Sequence, residues 1–257
     1  MPRKFVASCS CYCFHELISS RLWSRLILHF WALECERQVT CAHQPDTIKF
    51  LQNAYEETIA ATKNWLGTTT SATALLHCNK QHNSTNPLLY VTNIGDCQIT
   101  VIRPRDRKIL FKSREQWHWF DCPYQLGTNS ADQPRNDAVL STIELEEGDI
   151  VIAVSDGVTD NLWGHEIMEN VLESIEKWET GDVGNMPTTT AAAATAAEQQ
   201  ASAGGLADCM VFAARRLLNA ALTIALDPFA DSPYMEKAID EGLTIEGGVY
   251  ISIIGVG

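Results

Sequence analysis

The stretch LEEGDIVIAVSDGVTDNLW, residues 145–163, decides the fold. A turn of Glu147, Gly148 and Asp149 leads into five unbroken apolar residues, Ile150–Val154, followed at once by Ser155-Asp156-Gly157. Such a short apolar run, bounded by turn residues and rich in β-branched side chains, predicts a buried strand with an aspartate at its end. Working outward, NIGDCQITVIR (93–103) repeats the pattern, with strands predicted over Leu88–Ile94 and 97–102 about a Gly95-Asp96 turn. Further strands are predicted over 72–78, 109–112 and 139–145. No helical segments alternate with them, so the block reads as antiparallel hairpins in a run rather than parallel crossover units.

Helical periodicity flanks this block. After Pro45, Asp46 is placed to cap a helix through about Trp65, with Ile48, Leu51, Tyr55 and Ile59 on one face and Gly67 beyond its end. Before it, Phe14, Ile18, Leu22, Leu26 and Phe30 recur every four positions, as on a core-facing helix. After it, helices are predicted over 165–178, 207–226 and 232–241, the last with Ser232 as cap and Pro233 in the first turn. Residues 179–206 hold an Ala/Thr/Gln-rich tract with few core-forming side chains, read as a mobile insertion. An apolar run over 249–256 predicts a final strand. A block of strands with helices before and after indicates an α+β layered domain.

The 257 residues carry 19 Lys and Arg against 32 Asp and Glu, a formal charge of −13. Such a field repels phosphate backbones, and no basic patch with interleaved aromatics is present, so nucleic acid is not an expected partner. No run of about 18 apolar residues is available to cross a bilayer. The charge is uneven: Arg3, Lys4, Arg21, Arg25 and Arg37 against Glu16, Glu34 and Glu36 give residues 1–45 a sum of +2, leaving −15 for the rest. That basic, serine-bearing start has some character of an organelle-targeting segment, although an ordinary helix accounts for it better. Nine cysteines without regular spacing argue for a reducing compartment. Cys9, Cys11, Cys13 and His15, with Cys41 and His43, could be drawn as a metal knuckle, but their spacing departs from the usual ligand pairs and tolerated thiols are the better reading.

Asp96, Asp156 and Asp160 carry the candidate chemistry. Two stand at strand ends beside glycines and the third follows four residues on. Carboxylates gathered at a sheet rim repel unless a cation lies between them, and hard oxygen donors favour Mg²⁺ or Mn²⁺. The competing reading is ordinary turn and cap chemistry, which Asp-Gly and Asp-Asn also supply. His118, between Trp117 and Trp119, reads as a half-buried packing residue in preference to a site group.

Three stretches in order, NIGDCQITVIR, REQWHWFDCPYQLG (114–127) and LEEGDIVIAVSDGVTDNLW, resemble successive motifs of the type-2C metal-dependent protein serine/threonine phosphatases. Gln116, His118, Phe120, Pro123, Gln125 and Leu126, with SPYMEKAIDEGLTIEGG (232–248), resemble the mitochondrial branch of that family. The resemblance runs from about Pro45 to Gly248. It divides the chain into an unmatched segment, 1–44, and a phosphatase-like domain, 45–257, with the insertion at about 179–206. It implies a four-layer α-β-β-α sandwich of antiparallel sheets flanked by helices, incomplete at both ends. It also implies a binuclear Mn²⁺ or Mg²⁺ site at which a water attacks phosphorus, with phosphoserine or phosphothreonine proteins as substrates. By motif, Asp156 resembles a core metal ligand, and Asp96 and Asp160 resemble ligands of a further, more weakly held ion. No catalytic side chain is implied beyond the metal-activated water. The branch implies a mitochondrial location, with the cytoplasm as the other expectation.

The chain departs from the family pattern at both ends. Nothing in residues 1–44 resembles the N-terminal acidic ligand or the ADGVGGW-like motif, and Gly247-Gly248 runs into Val249-Tyr250-Ile251 without a Lys-x-Asp-Asp turn. The rival expectation is therefore a pseudophosphatase, or a truncated product, acting as a binding module.

Overall fold

The computed structural model describes residues 17–38, 43–63, 65–77, 87–182 and 205–243. The candidate knuckle cysteines, nearly all of the Ala/Thr/Gln tract and the final strand over 249–256 lie outside these. In chain order the elements are α1 (Leu17–Gln38), α2 (Thr47–Ala61), β1 (Thr68–Thr69), β2 (Ser71–His77), β3 (Leu88–Ile94), β4 (Gln98–Arg103), β5 (Lys108–Lys112), β6 (Trp117–Trp119), β7 (Cys122–Pro123), β8 (Leu126–Gly127), α3 (Pro134–Asp137), β9 (Val139–Glu144), β10 (Ile150–Val154), α4 (Asp156–Thr159), α5 (Gly164–Thr180), α6 (Leu206–Ala225) and α7 (Pro233–Asp240). The described residues fall into two compact units that part between Thr159 and Asp160.

In the first unit, β2, β3 and β9 form one antiparallel sheet in the order β2-β3-β9, and β10, β4 and β5 form another in the order β10-β4-β5. Side-chain alternation explains the layering. On β2 and β3, Leu75, Tyr90 and Ile94 face Trp23, Ile27 and Trp31 of α1 and Phe50, Leu51, Ala54 and Tyr55 of α2. The intervening residues Ala72, Ala74, Leu89 and Val91 meet Ile99 and Val101 of β4 with Val151 and Ala153 of β10. Period-2 alternation thus sends one set to the helices and the other to the second sheet, giving helix, sheet, sheet. The mixed α+β architecture agrees with the sequence expectation.

Two sequence expectations need correction. The strands are antiparallel as expected, and β2–β3 and β4–β5 pair as neighbours, but the run is broken: Leu88 to Asn93 of β3 also pairs with β9, and Gln98 to Ile102 of β4 with β10. The connections β3–β4 and β9–β10 cross between sheets. Both faces of β3 are buried, so its alternation reveals nothing about which strand lies beside it. In α1 the fully buried stripe is Trp23, Ile27, Trp31 and Cys35, one position on from the expected row, while Leu22, Leu26 and Phe30 are half-buried. Both rows have four-residue spacing, and packing against α2 selects the one carrying the two tryptophans. Glu34, also buried on α1, accepts from Asn53 Nδ2 of α2 at 2.8 Å. That bond, with those from Arg37 and Gln38, outweighs burial and holds its carboxyl below the ordinary range.

The caps follow the sequence. Asp46 accepts from Lys49 N–H at 3.0 Å to start α2, and Ser232 accepts from Met235 N–H at 3.2 Å to start α7, with Pro233 in the first turn. In the second unit α5 and α6 pack together. Cys209, Ala213, Leu217, Ala221 and Ala225 form the buried row of α6, and the rings of Trp178 and Phe212 approach to 5.5 Å. Gly181, with φ +75°, ends α5 in the left-handed conformation that glycine adopts without strain.

Candidate active site

The pairing of β4 with β10 positions the first two candidate aspartates. Its last register pair is Gln98 with Val154. Asp96 lies two residues before Gln98 and Asp156 two residues after Val154, so both stand at the same end of the ladder. Both are buried, at 1% and 3% exposure. Asp156 opens α4, where its Oδ1 accepts from Gly157 N–H at 2.6 Å, and Val158 N–H closes the turn on Ser155 O at 3.0 Å.

The crossing that carries Asp96 is fixed from several sides. Gly95 has φ +96°, and a Cβ there would fall 2.5 Å from both Thr70 Cγ2 and Tyr124 O. Gln116 uses its whole amide: Oε1 accepts from Gly95 N–H at 3.2 Å, and Nε2 donates to Asp137 O at 2.7 Å. Its backbone N–H also donates to Gly95 O at 3.0 Å. Asn93 Nδ2 bridges Gly95 O and Arg114 O, at 3.2 and 3.1 Å. Cys97, the residue before β4, has its sulfur 3.1 Å from Thr70 Oγ1. It serves as a packed, buried residue here.

Asp160 belongs to the second unit, where its side chain is 4% exposed and Lys237 Nζ lies 3.7 Å from Oδ1. Among the described residues no group of three or more His, Cys, Asp or Glu is gathered closely enough to form a metal cage. Two buried carboxylates still suit one class of ion. Mg²⁺ commonly retains several waters and is held by one or two carboxylates together with substrate phosphate. Asp96 and Asp156 provide that kind of donor set.

The sequence reading did not find Asp132. This buried carboxylate accepts from Gln125 N–H at 2.9 Å and Ser130 Oγ at 3.0 Å, and it meets His118 Nε2 at 3.0 Å. Burial would raise its carboxyl, but these bonds outweigh it and hold the group below the ordinary range. The His118 ring stacks on Tyr124 at 4.2 Å. Packing was the expected role of His118; its tie to Asp132 comes in addition. The only local signal was the polar run Ser130-Ala131-Asp132 before Pro134, which reads as ordinary turn chemistry.

No family model matches the chain. Among curated proteins it is 37% identical over 93 residues to an Arabidopsis thaliana probable protein phosphatase 2C 26, covering 36% of this chain and 30% of that protein. It is 26% identical over 225 residues to the Homo sapiens protein phosphatase PTC7 homolog, covering 83% of this chain and 62% of the relative. The chain thus spans less than two thirds of these relatives. In fold it is similar to the X-ray structure of the photosystem II phosphatase PBCP, with a TM-score of 0.60 at 24% identity, over 86% of this chain and 68% of that one. The chain is thus similar in sequence to proteins named protein phosphatase 2C and protein phosphatase PTC7 homolog, and it shares the fold of a solved phosphatase.

Proposed function

We propose that the chain is a metal-dependent protein serine/threonine phosphatase that hydrolyses phosphoserine and phosphothreonine to the alcohol and inorganic phosphate. The observation that carries this reading is the β4–β10 register, which sets Asp96 and Asp156 at one ladder end, in a chain whose relatives are named protein phosphatases. Asp156 is the core metal ligand, as the motif resemblance implies, and Asp96, at the same ladder end, is the further carboxylate of this unit. When bound, Mn²⁺ or Mg²⁺ lowers the pKa of a water and offsets charge on the phosphoryl group. The chain's own part is to hold the carboxylates buried and pre-oriented. Gln116 and Asn93 fix the Gly95 turn, and Gly157 N–H fixes one Asp156 oxygen. Substrate phosphate supplies the oxygens that two carboxylates leave wanting.

The substrate is a phosphoprotein of unspecified identity, and the location is mitochondrial. The second assignment is supported by the resemblance of residues 116–126 to the mitochondrial branch and by likeness to the PTC7 homologs. No helix among the described residues is long and apolar enough to cross a membrane.

The test is phosphopeptide hydrolysis by the 257-residue chain with and without Mn²⁺. Metal-dependent release of phosphate, abolished in Asp156→Asn with the circular dichroism spectrum retained, is the expected result. Equal turnover in that variant would overturn the role of Asp156. An inert wild-type chain would favour the binding-module alternative.

A further inference from the structure

Residues 103–114, RPRDRKILFKSR, hold the densest basic run in the chain: Arg103, Arg105, Arg107, Lys108, Lys112 and Arg114 against Asp106 alone. They sum to +5 in a chain of −13, leaving −18 for the rest. Near the β4–β5 turn the charge is matched internally, Arg103 by Asp149 and Glu146 and Arg105 by Glu146, at 2.7 to 2.9 Å. Lys108, Lys112 and Arg114 are exposed, and among the described residues none of the three has an ion-pair partner. The lysines lie on β5, the outer strand of the β10-β4-β5 sheet. Edge lysines deter strand pairing, but Arg114 lies beyond the strand, where there is no edge to guard.

The run ends beside Asp96. Lys112 pairs with Thr100 of β4, and Ser113 brackets Ile99, donating its N–H to Ile99 O at 2.8 Å and accepting from Ile99 N–H on Oγ at 2.9 Å. Arg114 O and Gly95 O share one donor, Asn93 Nδ2, at 3.1 and 3.2 Å. We propose that Lys112 and Arg114 form a docking strip for acidic residues flanking the phosphorylated side chain, so that the substrates are phosphoproteins whose phosphosite lies in an acidic segment. The inference rests on the phosphatase reading above and names its substrate class. Charge complementarity carries it: the rest of the chain repels an acidic phosphopeptide, and the unmatched cations adjoining Asp96 reverse that locally. Glu115, next in the chain, has its carboxylate held by Trp117 Nε1 at 3.3 Å and Gln98 Nε2 at 3.5 Å rather than by Arg114.

The experiment is fluorescence anisotropy of the full chain in EDTA with two labelled phosphothreonine peptides, one flanked by glutamates and one by glutamines. The wild type is expected to bind the glutamate peptide about tenfold more tightly, an advantage that shrinks as NaCl is added. Lys112→Glu/Arg114→Glu should abolish the preference, and Lys112→Arg/Arg114→Lys should keep it. Lys49→Glu/Lys63→Glu, an equal charge change at exposed positions in and just after α2, should keep it as well. Equal wild-type affinity for the two peptides overturns the proposal. So does a preference that survives reversal of Lys112 and Arg114, or one lost equally in the Lys49/Lys63 variant. If thermal unfolding shows the reversed variant misfolded, Lys112→Gln/Arg114→Gln replaces it, with about a threefold loss of preference expected. Co-sedimentation with phosphatidylglycerol vesicles completes the test: vesicle binding abolished by the reversal, with the peptide preference intact, assigns the strip to a lipid surface and overturns the proposal. Neither metal nor turnover is needed for these readings. A wild type that shows the preference yet releases no phosphate with Mn²⁺ therefore contradicts the proposed function and leaves the docking strip standing.

Discussion

Gly95 shows how much one residue decides. Its φ of +96° suits glycine alone, and its missing side chain is what lets Thr70 and Tyr124 close on the crossing. Gly95→Ala would meet backbone and side chain at 2.5 Å, and the expected loss is about 2–4 kcal/mol by urea unfolding. A variant within 0.5 kcal/mol of wild type would show that the crossing is loose and Asp96 unfixed. Asp132 gives a second residue-scale prediction, with a definite sign. Its folded carboxyl lies below the unfolded value of about 3.9, so its stabilising contribution is complete above that value and lost as pH falls through the folded one. Stability should fall as pH drops below about 4, and Asp132→Asn should flatten that slope. An unchanged slope would remove Asp132 from the acid response. Asp96 and Asp156 could be singled out in the sequence because a strand end beside a glycine is a local signal. Asp132 was not, because its donors at His118 and Gln125 come together only through the folding of the β6–β7 hairpin.

At the scale of elements, the site depends on a strand register fixed at the other end of the ladder. Arg103 closes β4 and grips Asp149 in a fork, Nε to Oδ1 at 2.8 Å and Nη2 to Oδ2 at 2.7 Å, while Asp149 Oδ2 also accepts from Glu146 N–H at 2.8 Å. The hydrogen bond from Arg103 holds the Asp149 carboxyl down despite its burial. Because β10 begins at Ile150, opposite Ile102, this clamp allows one register, and a slip of one residue would part Asp96 from Asp156. Arg103→Ala and Asp149→Ala should each lower the unfolding midpoint, and the double variant should lose less than the two singles combined. Additive losses would show that the fork and the register are independent. The sequence located nearly every main strand to within a residue or two, since apolar runs and turns are short-range signals. It missed that the β3–β4 and β9–β10 connections cross between sheets, because β3 and β4 are covered on both faces and nothing local distinguishes a hairpin from a sheet crossing.

For the molecule as a whole, the net charge of −13 makes the specificity of any metal effect the question to settle. A strongly acidic chain is self-repelling, so any added salt stabilises it by screening. A site made by Asp96 and Asp156 behaves differently. The two are 60 positions apart in sequence and share one ladder end only when β4 and β10 are paired, so an ion held by both would bind the folded state alone. Linkage then predicts about 2.7 kcal/mol of added stability at an ion concentration one hundred times its dissociation constant. The measurement is the unfolding midpoint against Mn²⁺, with NaCl at matched ionic strength as reference. Mn²⁺ should raise the midpoint above that reference in the wild type and not in Asp156→Asn. If the Mn²⁺ and NaCl curves coincide in the wild type, the two aspartates hold no ion, and their burial at this ladder end has to be explained by packing and hydrogen bonding alone.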